Sequence, residues 1–125
     1  MNEFDEKVLS TIINCEVSLY TCCYAPDRAV VSTSNLASLL ECTKYKVRKA
    51  LRVLKDLGYI EYTSQGRPAI ESNTENGREL ICEPLPPING YALTKLGYET
   101  VQFKEAQERF NKSMEDCVNS IQLEI

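Results

Sequence analysis

The chain has 125 residues, of which 43% are hydrophobic and 26% are charged, and its formal net charge is −4. This composition is typical of one soluble globular domain with its own core, and no apolar run is long enough to span a membrane. The chain contains no histidine and no Cys-x-x-Cys pair, which excludes histidine-based catalysis and leaves a structural zinc site with little support. We therefore expect a protein that is not an enzyme and that carries no metal and no cofactor.

The N-terminal residues are acidic and lack the basic start and apolar middle of a signal peptide, so we expect a cytoplasmic protein. A first helix is predicted from residue 3 to about residue 23. The pattern breaks at residues 25–28, and residues 29–32 are predicted to form a short strand. The apolar positions of the first helix recur near helical spacing: Phe4, Val8, Ile12, Ile13, Val17 and Tyr20.

Six cysteines occur in the chain, and two of them, Cys22 and Cys23, are adjacent. An even number would suggest disulfides in a secreted chain, but most of these cysteines fall at apolar positions of predicted helices. We interpret them as buried free thiols. Adjacent helical side chains point about 100° apart, and no histidine is present to complete a metal site, so packing is favoured over sensing for the adjacent pair too.

Residues 34–42 predict a short second helix, and only two or three residues separate it from the next helix. That connection is too short for parallel neighbours and favours a helix-turn-helix, with Ala37 at the close approach of the two helices. The candidates for its N-cap are Ser32, Thr33 and Ser34, and its predicted buried face consists of Leu36, Leu39 and Leu40.

The third helix, predicted from Thr43 as N-cap to Gly58 as its left-handed end, is strongly amphipathic. One side carries Val47, Ala50, Leu51, Leu54 and Leu57, and the other carries Lys44, Lys46, Arg48, Lys49, Arg52 and Lys55. Residues 41–67 contain seven basic and three acidic residues, whereas the rest of the chain contains seven basic and fifteen acidic residues. Because the local field decides where a polyanion docks, we interpret this segment as a DNA recognition helix.

After Gly58 the pattern changes to that of strands. Strands are predicted at residues 59–63 and 91–93, with a turn at 64–68, a short extended piece at 69–71, a polar loop at 72–77, a return to the sheet at 80–82 and irregular structure at 84–90. Thr94 is predicted to cap one long helix from Lys95 to about Leu123. Its projecting apolar side predicts a dimer contact, formed by Val101, Phe110, Met114, Val118 and Ile121.

The stretch Leu36-Ala37-x-Leu39-Leu40, followed by Thr43-Lys44-Tyr45-Lys46-Val47 and Leu57-Gly58-Tyr59-Ile60, resembles winged helix-turn-helix proteins. Tyr91-x-Leu93-Thr94-x-x-Gly97 is similar to the closing wing strand and next helix of MarR- and PadR-like transcriptional regulators. The resemblance covers roughly residues 30–100. It implies a mainly helical α+β fold: a single domain, 1–125, with a winged-helix core at 1–93 and a dimerisation helix at 94–125. The segment between residues 63 and 90 departs from the family because it is far longer than a usual wing.

These observations predict a homodimeric regulator that binds double-stranded DNA sequence-specifically and has no membrane partner; no effector ligand is identified. The alternative is a protein-interaction adaptor of a phage or mobile element, whose basic helix binds an acidic protein, and a small enzyme is the weakest hypothesis. Arg67 is a candidate for a wing contact in the minor groove or, equally, a solvated turn arginine. The predicted major-groove contacts are Lys44, Tyr45, Lys46, Arg48, Lys49 and Arg52, and the predicted phosphate contacts are Ser32, Ser34 and Asn35.

Overall fold

The computed structural model describes residues 1–18 and 28–123, with side chains up to residue 120. Five helices and four strands are found in these ranges. In chain order they are α1 (Glu3–Val17), α2 (Thr33–Leu40), α3 (Lys44–Asp56), β1 (Ile60–Arg67), β2 (Ile70–Thr74), β3 (Gly77–Cys82), β4 (Leu85–Leu93), α4 (Lys95–Tyr98) and α5 (Val101–Leu123).

Helix α1 begins with a capping box and ends earlier than predicted. The side chain of Asn2 accepts a 2.8 Å hydrogen bond from the backbone N–H of Asp5, and the Asp5 carboxylate accepts one of 3.1 Å from the Asn2 N–H. Helical structure ends at Val17, where Ser18 donates its hydroxyl to the Asn14 carbonyl oxygen. The predicted continuation to residue 23, with Tyr20, Cys22 and Cys23, lies outside the described residues.

Helices α2 and α3 form the predicted helix-turn-helix. Ser32 is the N-cap of α2, accepting from the Asn35 N–H, and the turn runs through Glu41 in the left-handed region (φ 52°). The Cys42 N–H then donates to the Ala37 carbonyl oxygen at 3.1 Å, and Thr43 caps α3 as predicted. The turn thus brings the N-terminus of α3 against the buried residue Ala37.

The predicted burial of two leucines, Leu39 and Leu57, was wrong. Leu39 is 61% exposed, because the buried arc of α2 consists of Leu36, Ala37 and Leu40, and the same helical spacing allowed either arc. Leu57 is exposed because α3 ends at Asp56 and Leu57 is its C-cap residue. Gly58 has a φ of 85°, so it ends the helix in the predicted left-handed conformation.

The core lies where α1 crosses α3, and it is closed by the base of the wing and by α5. Nearly all of its large side chains come from these elements. The fully buried members are Val8, Leu9, Ile12 and Ile13 from α1, Leu36 from α2, Val47, Leu51 and Leu54 from α3, and Ile60 and Leu93 from the wing.

The wing consists of two antiparallel pairs of strands: β1 pairs with β4, and β2 pairs with β3. The β1–β4 pair runs from Ile60↔Leu93 to Gln65↔Ile88 and continues past an irregularity to Arg67↔Leu85. The predicted turn at 64–68 and polar loop at 72–77 were therefore wrong: both are mostly strand, and the turn is confined to residues 75–76. The predicted strand at residues 29–32 is reduced to one bridge, Val31↔Tyr91.

The irregular structure predicted for residues 84–90 was also wrong, because β4 includes Pro86 and Pro87. Proline lacks the N–H that a central strand needs, but it is accepted at a sheet edge or next to a bulge. Both conditions hold here, since β4 pairs with β1 in a two-stranded sheet and the register shifts between Gln65 and Arg67.

The predicted long C-terminal helix is interrupted. Thr94 caps only the short helix α4, by accepting from the Gly97 N–H, and Thr100 accepts from the Phe103 N–H at the start of α5. A Cβ at Gly97 would lie 2.5 Å from the Tyr59 carbonyl oxygen, so glycine permits α4 to pack directly on the wing base. The predicted fold class, a mainly helical α+β winged helix-turn-helix, is confirmed. Among the helices of the described ranges, none has the length and apolarity that a membrane crossing requires.

Candidate nucleic-acid interface

Helix α3 separates its apolar and basic side chains as predicted. Val47, Ala50, Leu51 and Leu54 are buried against the core, whereas all six lysines and arginines of the helix are exposed. Thr43 holds the first turn by accepting from the Lys46 N–H at 3.3 Å. The backbone amides that open this turn, together with the cations, make the N-terminal end of α3 the positive end of the helix.

Fewer cations lie on the outward side of α3 than the sequence suggested. Successive helical side chains are about 100° apart, so the side opposite the buried stripe carries Tyr45, Arg48, Lys49 and Arg52, which we call the basic ridge. Tyr45 is 76% exposed, and no described neighbour covers its ring. The ridge therefore presents three cations and one aromatic ring along the first two and a half turns.

The other three lysines flank the basic ridge. Lys44 and Lys55 lie on one side of it, and Lys46 lies on the other, where its Nζ is 4.5 Å from the centre of the Phe4 ring. This cation–π contact directs Lys46 toward α1. The structure thus divides the six predicted cations into a central group that faces away from the core and a flanking group that lines its sides.

An acidic residue ends the outward face. Asp56 is exposed and lies in the same direction as Tyr45 and Lys49, one turn beyond Arg52. A carboxylate at this point repels a polyanion, so the attractive part of α3 is its N-terminal half. The sequence showed Asp56 within the basic segment, but its direction depends on which stripe of the helix is buried.

The start of α2 lies beside the N-terminal end of α3. Ser34 and Asn35 are exposed, whereas Ser32 already uses its hydroxyl oxygen to accept from the Asn35 N–H. A shallow groove between the two helices is lined by one cation, one carboxylate, three hydroxyl groups and two small apolar residues: Lys44, Glu41, Ser34, Ser38, Thr43, Ala37 and Cys42. Ser38 was missed in the sequence, because its orientation toward α3 follows from the turn and not from any motif.

Arg67 lies at the far end of β1, where it is partly buried by its own wing. Its Nε donates a 2.8 Å hydrogen bond to the carbonyl oxygen of Pro86 on β4. The tip of the wing is formed instead by residues 75–76, well beyond this position. Arg67 therefore links β1 to β4 at the point where the two halves of the wing meet.

Polar contacts that the sequence analysis missed hold α1, the segment before α2 and α4 together. Glu16 accepts a 2.6 Å hydrogen bond from the Ala29 N–H through Oε2 and a 2.7 Å hydrogen bond from the Tyr98 hydroxyl through Oε1. Arg28 forms a salt bridge with Glu61 on β1 and donates to the Leu93 carbonyl oxygen. No periodicity or motif predicts such pairs, since their members are far apart in the chain.

The predicted dimer residues are distributed along α5 in two groups. Phe110 packs against the core together with Ala106, whereas Met114 and Val118 are about half exposed and Val101 is more exposed than either. The side chain of Ile121 lies outside the described residues. All residues at positions 111–120 are exposed, so the distal half of α5 projects from the body.

The cysteines of the described ranges are not uniformly buried. Cys15, Cys42 and Cys82 are partly buried, and Cys117 is exposed on α5, which corrects the expectation of buried thiols for that residue. Burial raises the pKa of the Cys15 thiol above its usual value, because the thiolate would lose its hydration. Within the described residues no group of three or more Cys, Asp and Glu side chains is arranged to hold a metal ion.

Comparisons with known proteins give likenesses only among solved structures: no protein-family model and no curated protein matches the chain. Streptococcus pneumoniae FabT in complex with DNA is 18% identical with a TM-score of 0.47, over 96% of this chain and 61% of that one. A mutant of S. aureus MepR is 11% identical with a TM-score of 0.45, over 100% and 66% of the two chains. A MepR mutant from a multidrug-resistant S. aureus clinical isolate is 14% identical with a TM-score of 0.38, over 94% and 63%. This chain thus spans less than two thirds of the length of each of these proteins.

Proposed function

We propose that this protein binds double-stranded DNA sequence-specifically and acts as a homodimeric transcriptional regulator. The observation that carries the proposal is the basic ridge, because it lies on the second helix of a helix-turn-helix and faces away from the core. Its amphipathic helix buries one side completely and leaves the other free for a ligand. An exposed row of cations and a tyrosine on the outer side of a helix fits the major groove, which admits one α-helix.

Different residues of the basic ridge make different contacts with DNA. Arg48, Lys49 and Arg52 supply donors for guanine edges and for phosphates, and Tyr45 adds a hydroxyl and an apolar ring near the helix N-terminus. Asp56 disfavours deep insertion of the C-terminal half, since phosphates flank the groove on both sides. We therefore infer that α3 enters the groove with its N-terminal end first.

The groove between α2 and α3 supports a backbone contact next to the ridge. Ser34, Ser38 and Thr43 bring three hydroxyl groups to a groove in which Lys44 adds a positive charge, and the Glu41 carboxylate lies in the same lining. Hydroxyls, a lysine and the amides of a helix N-terminus are the groups that commonly bind DNA phosphates. Contacts of this kind set the register of α3 and leave base recognition to the basic ridge.

The distal half of α5 supports assembly into a homodimer. Phe110, Met114, Cys117 and Val118 lie within one arc of about 100° on the helix, which is the width of an apolar stripe that packs against another helix, and we call this stripe the seam. The seam leaves the body of the protein at Phe110, so its remaining apolar side chains have no described partner within the chain. A second copy of α5 would cover them and would place two basic ridges on one DNA duplex.

A matched pair of double variants tests the DNA-binding part. Replacing Arg48 and Lys49 by alanine removes two charges from the basic ridge, and replacing Lys7 and Lys104 by alanine removes two exposed charges elsewhere. Fluorescence anisotropy with a duplex selected from a random pool should show weaker binding only for the first variant. Its slope of log affinity against log salt should flatten by roughly one per lost phosphate contact.

Equal affinities of the two variants, with both folded, would contradict the proposal. Absence of duplex binding by the unmodified protein at low salt would contradict it as well. In that case a basic helix that engages an acidic protein, as in an adaptor, becomes the better interpretation.

Sedimentation equilibrium tests the homodimer. Val118→Glu places a charge in the seam, whereas Asn119→Glu places the same charge about 100° farther around the helix and away from the seam. We expect the unmodified protein and Asn119→Glu to be dimers and Val118→Glu to shift toward monomer. A monomeric unmodified protein, or a Val118→Glu variant that remains fully dimeric, is inconsistent with a seam on α5.

A further inference from the structure

The distal half of the wing, which we call the distal hairpin, consists of β2, β3 and the turn between them (residues 70–82). Its two strands pair with each other and, in the described part of the chain, with no other strand. They also make their extensive contacts only with each other, so the hairpin extends away from the core. An isolated two-stranded hairpin is only marginally stable in water, which makes an unsupported one unusual.

The charge of the distal hairpin is opposite to that of the basic ridge. Residues 70–82 contain three glutamates, at positions 71, 75 and 79, and a single cation, Arg78. Arg78 lies within 3.6 Å of the Glu71 carboxylate, so part of its charge is already compensated. Phosphates are repelled by such a surface, and the tip of this wing is therefore not suited to a DNA groove.

Strand β3 nevertheless exposes large apolar side chains. Leu80 is 52% exposed and Ile81 is 62% exposed, and Ile81 has no paired residue on β2, because the register shifts between Ile70↔Cys82 and Glu71↔Leu80. Glu79 precedes these two apolar residues and pairs with Ser72, so β2 adds only a small polar side chain beside this carboxylate. The outer edge of β3 therefore combines a carboxylate, an exposed isoleucine and a backbone with no strand partner among the described residues.

We propose that the outer edge of β3 is a docking site for an extended, basic segment of another polypeptide, which adds to the distal hairpin as a third strand. A cation of that segment lies beside Glu79, and a nearby apolar side chain of it lies beside Ile81. Backbone hydrogen bonds along the edge supply affinity, and these cross-strand pairs supply specificity.

Charge complementarity selects this occupant over the others. A second copy of the distal hairpin would bring like carboxylates together, and DNA would bring phosphates. Within this chain, basic residues concentrate on α3, which is helical and faces elsewhere. The negative charge of the hairpin therefore favours a cationic strand and disfavours an acidic one. The same charge protects the exposed edge from self-association.

The test uses the full chain and a fluorescent, capped peptide of roughly nine residues, which is the length of a strand. Every second residue of the peptide is threonine, and the positions between the threonines are lysine and valine in turn. Two comparison peptides carry glutamate in place of lysine, or N-methyl groups on alternate backbone amides. The variant Glu79→Lys/Ile81→Thr is compared with Glu108→Lys/Leu39→Thr, which makes the same changes at exposed positions outside the hairpin. Thermal unfolding checks that both variants remain folded.

We expect saturable binding of the lysine peptide, a dissociation constant about tenfold higher for the hairpin variant, and little change for the comparison variant. Amide hydrogen exchange at residues 78–82 should slow when this peptide is bound. Three results overturn the proposal: no saturable binding of the lysine peptide, equal binding by the two variants, or undiminished binding of the N-methylated peptide. The proposal does not depend on DNA binding, so a failed duplex experiment leaves this test unaffected.

Discussion

The hydroxyl of Tyr98 in α4 donates a 2.7 Å hydrogen bond to Oε1 of Glu16, near the end of α1. The other oxygen of the same carboxylate accepts from the Ala29 N–H at 2.6 Å. One glutamate thus joins the first helix, the segment that leads into the helix-turn-helix, and the C-terminal helices. Both contacts of this junction involve residues that are at least partly sheltered from water.

Removing the carboxylate should therefore destabilise the protein more than removing the phenol hydroxyl. We expect Glu16→Ala to lower the free energy of unfolding by about 1–3 kcal/mol, because an N–H and a hydroxyl lose their acceptor, and Tyr98→Phe to lower it by about 0.5–1.5 kcal/mol. Urea unfolding measures both. Tyr45→Phe is the control, since that hydroxyl is exposed; if it costs as much as Tyr98→Phe, the junction is not the cause.

The turn of the helix-turn-helix contains backbone strain at Glu41. A non-glycine residue in the left-handed region costs about 1–2 kcal/mol, and glycine avoids this cost. Part of the gain is offset, because glycine loses more conformational entropy on folding than other residues. We expect Glu41→Gly to raise the free energy of unfolding by about 0.5–1 kcal/mol. Ser38→Gly, in the interior of α2, should lower it by a similar amount. A destabilised Glu41→Gly variant would show that the glutamate side chain has a compensating contact.

Asp56 offers a second test of how α3 meets DNA. Replacing it by asparagine removes a negative charge from the outward face without changing its size, and we expect about two- to fivefold tighter binding to the selected duplex, the effect of one exposed charge. The comparison variant is Glu108→Gln on α5, which should leave the affinity unchanged. Weaker binding by Asp56→Asn would mean instead that the carboxylate accepts a hydrogen bond from a base.

Thiol reactivity should follow burial. Because desolvation raises the pKa of Cys15, its reactive thiolate appears only at higher pH than that of an exposed thiol, and we expect iodoacetamide at pH 8 to modify Cys117 of the monomer about ten times faster than Cys15. Mass spectrometry of the digested protein separates the two sites. In urea the rates should become similar. Since the shift favours the protonated thiol, the stability that it contributes is present at neutral pH and lost as pH rises through the raised pKa.

The helix-turn-helix could be predicted from the sequence because its determinants are local. The apolar spacing of α3, the cap at Thr43 and the left-handed Gly58 all lie within sixteen residues of one another, and the structure has each of them. The distal wing could not be predicted, because Gln65 finds its partner Ile88 through the long-range pairing of β1 with β4. Without that pairing, prolines 86 and 87 indicate a break and not a strand.

The candidate site was predicted in composition but not in detail. Six exposed cations on α3 were expected, and six are found. Their division into a central and a flanking group depends on tertiary contacts, such as that of Lys46 with the Phe4 ring, and these leave no trace in local spacing. The same holds for Asp56, whose outward direction follows from which side of the helix the core covers.

The backbone contact at Gly97 has a mechanical consequence. Thr94 hydrogen-bonds to both Gly58 and Tyr59, and the missing Cβ at Gly97 lets α4 rest on the same two residues, immediately after α3. Because α4 is held directly against the residues that end α3, we expect a rotation of α4 relative to α1 to move the C-terminal end of α3 as well. We expect the angle of α3 to depend on the position of the C-terminal helices for this reason, through backbone contacts and without a series of intervening side chains.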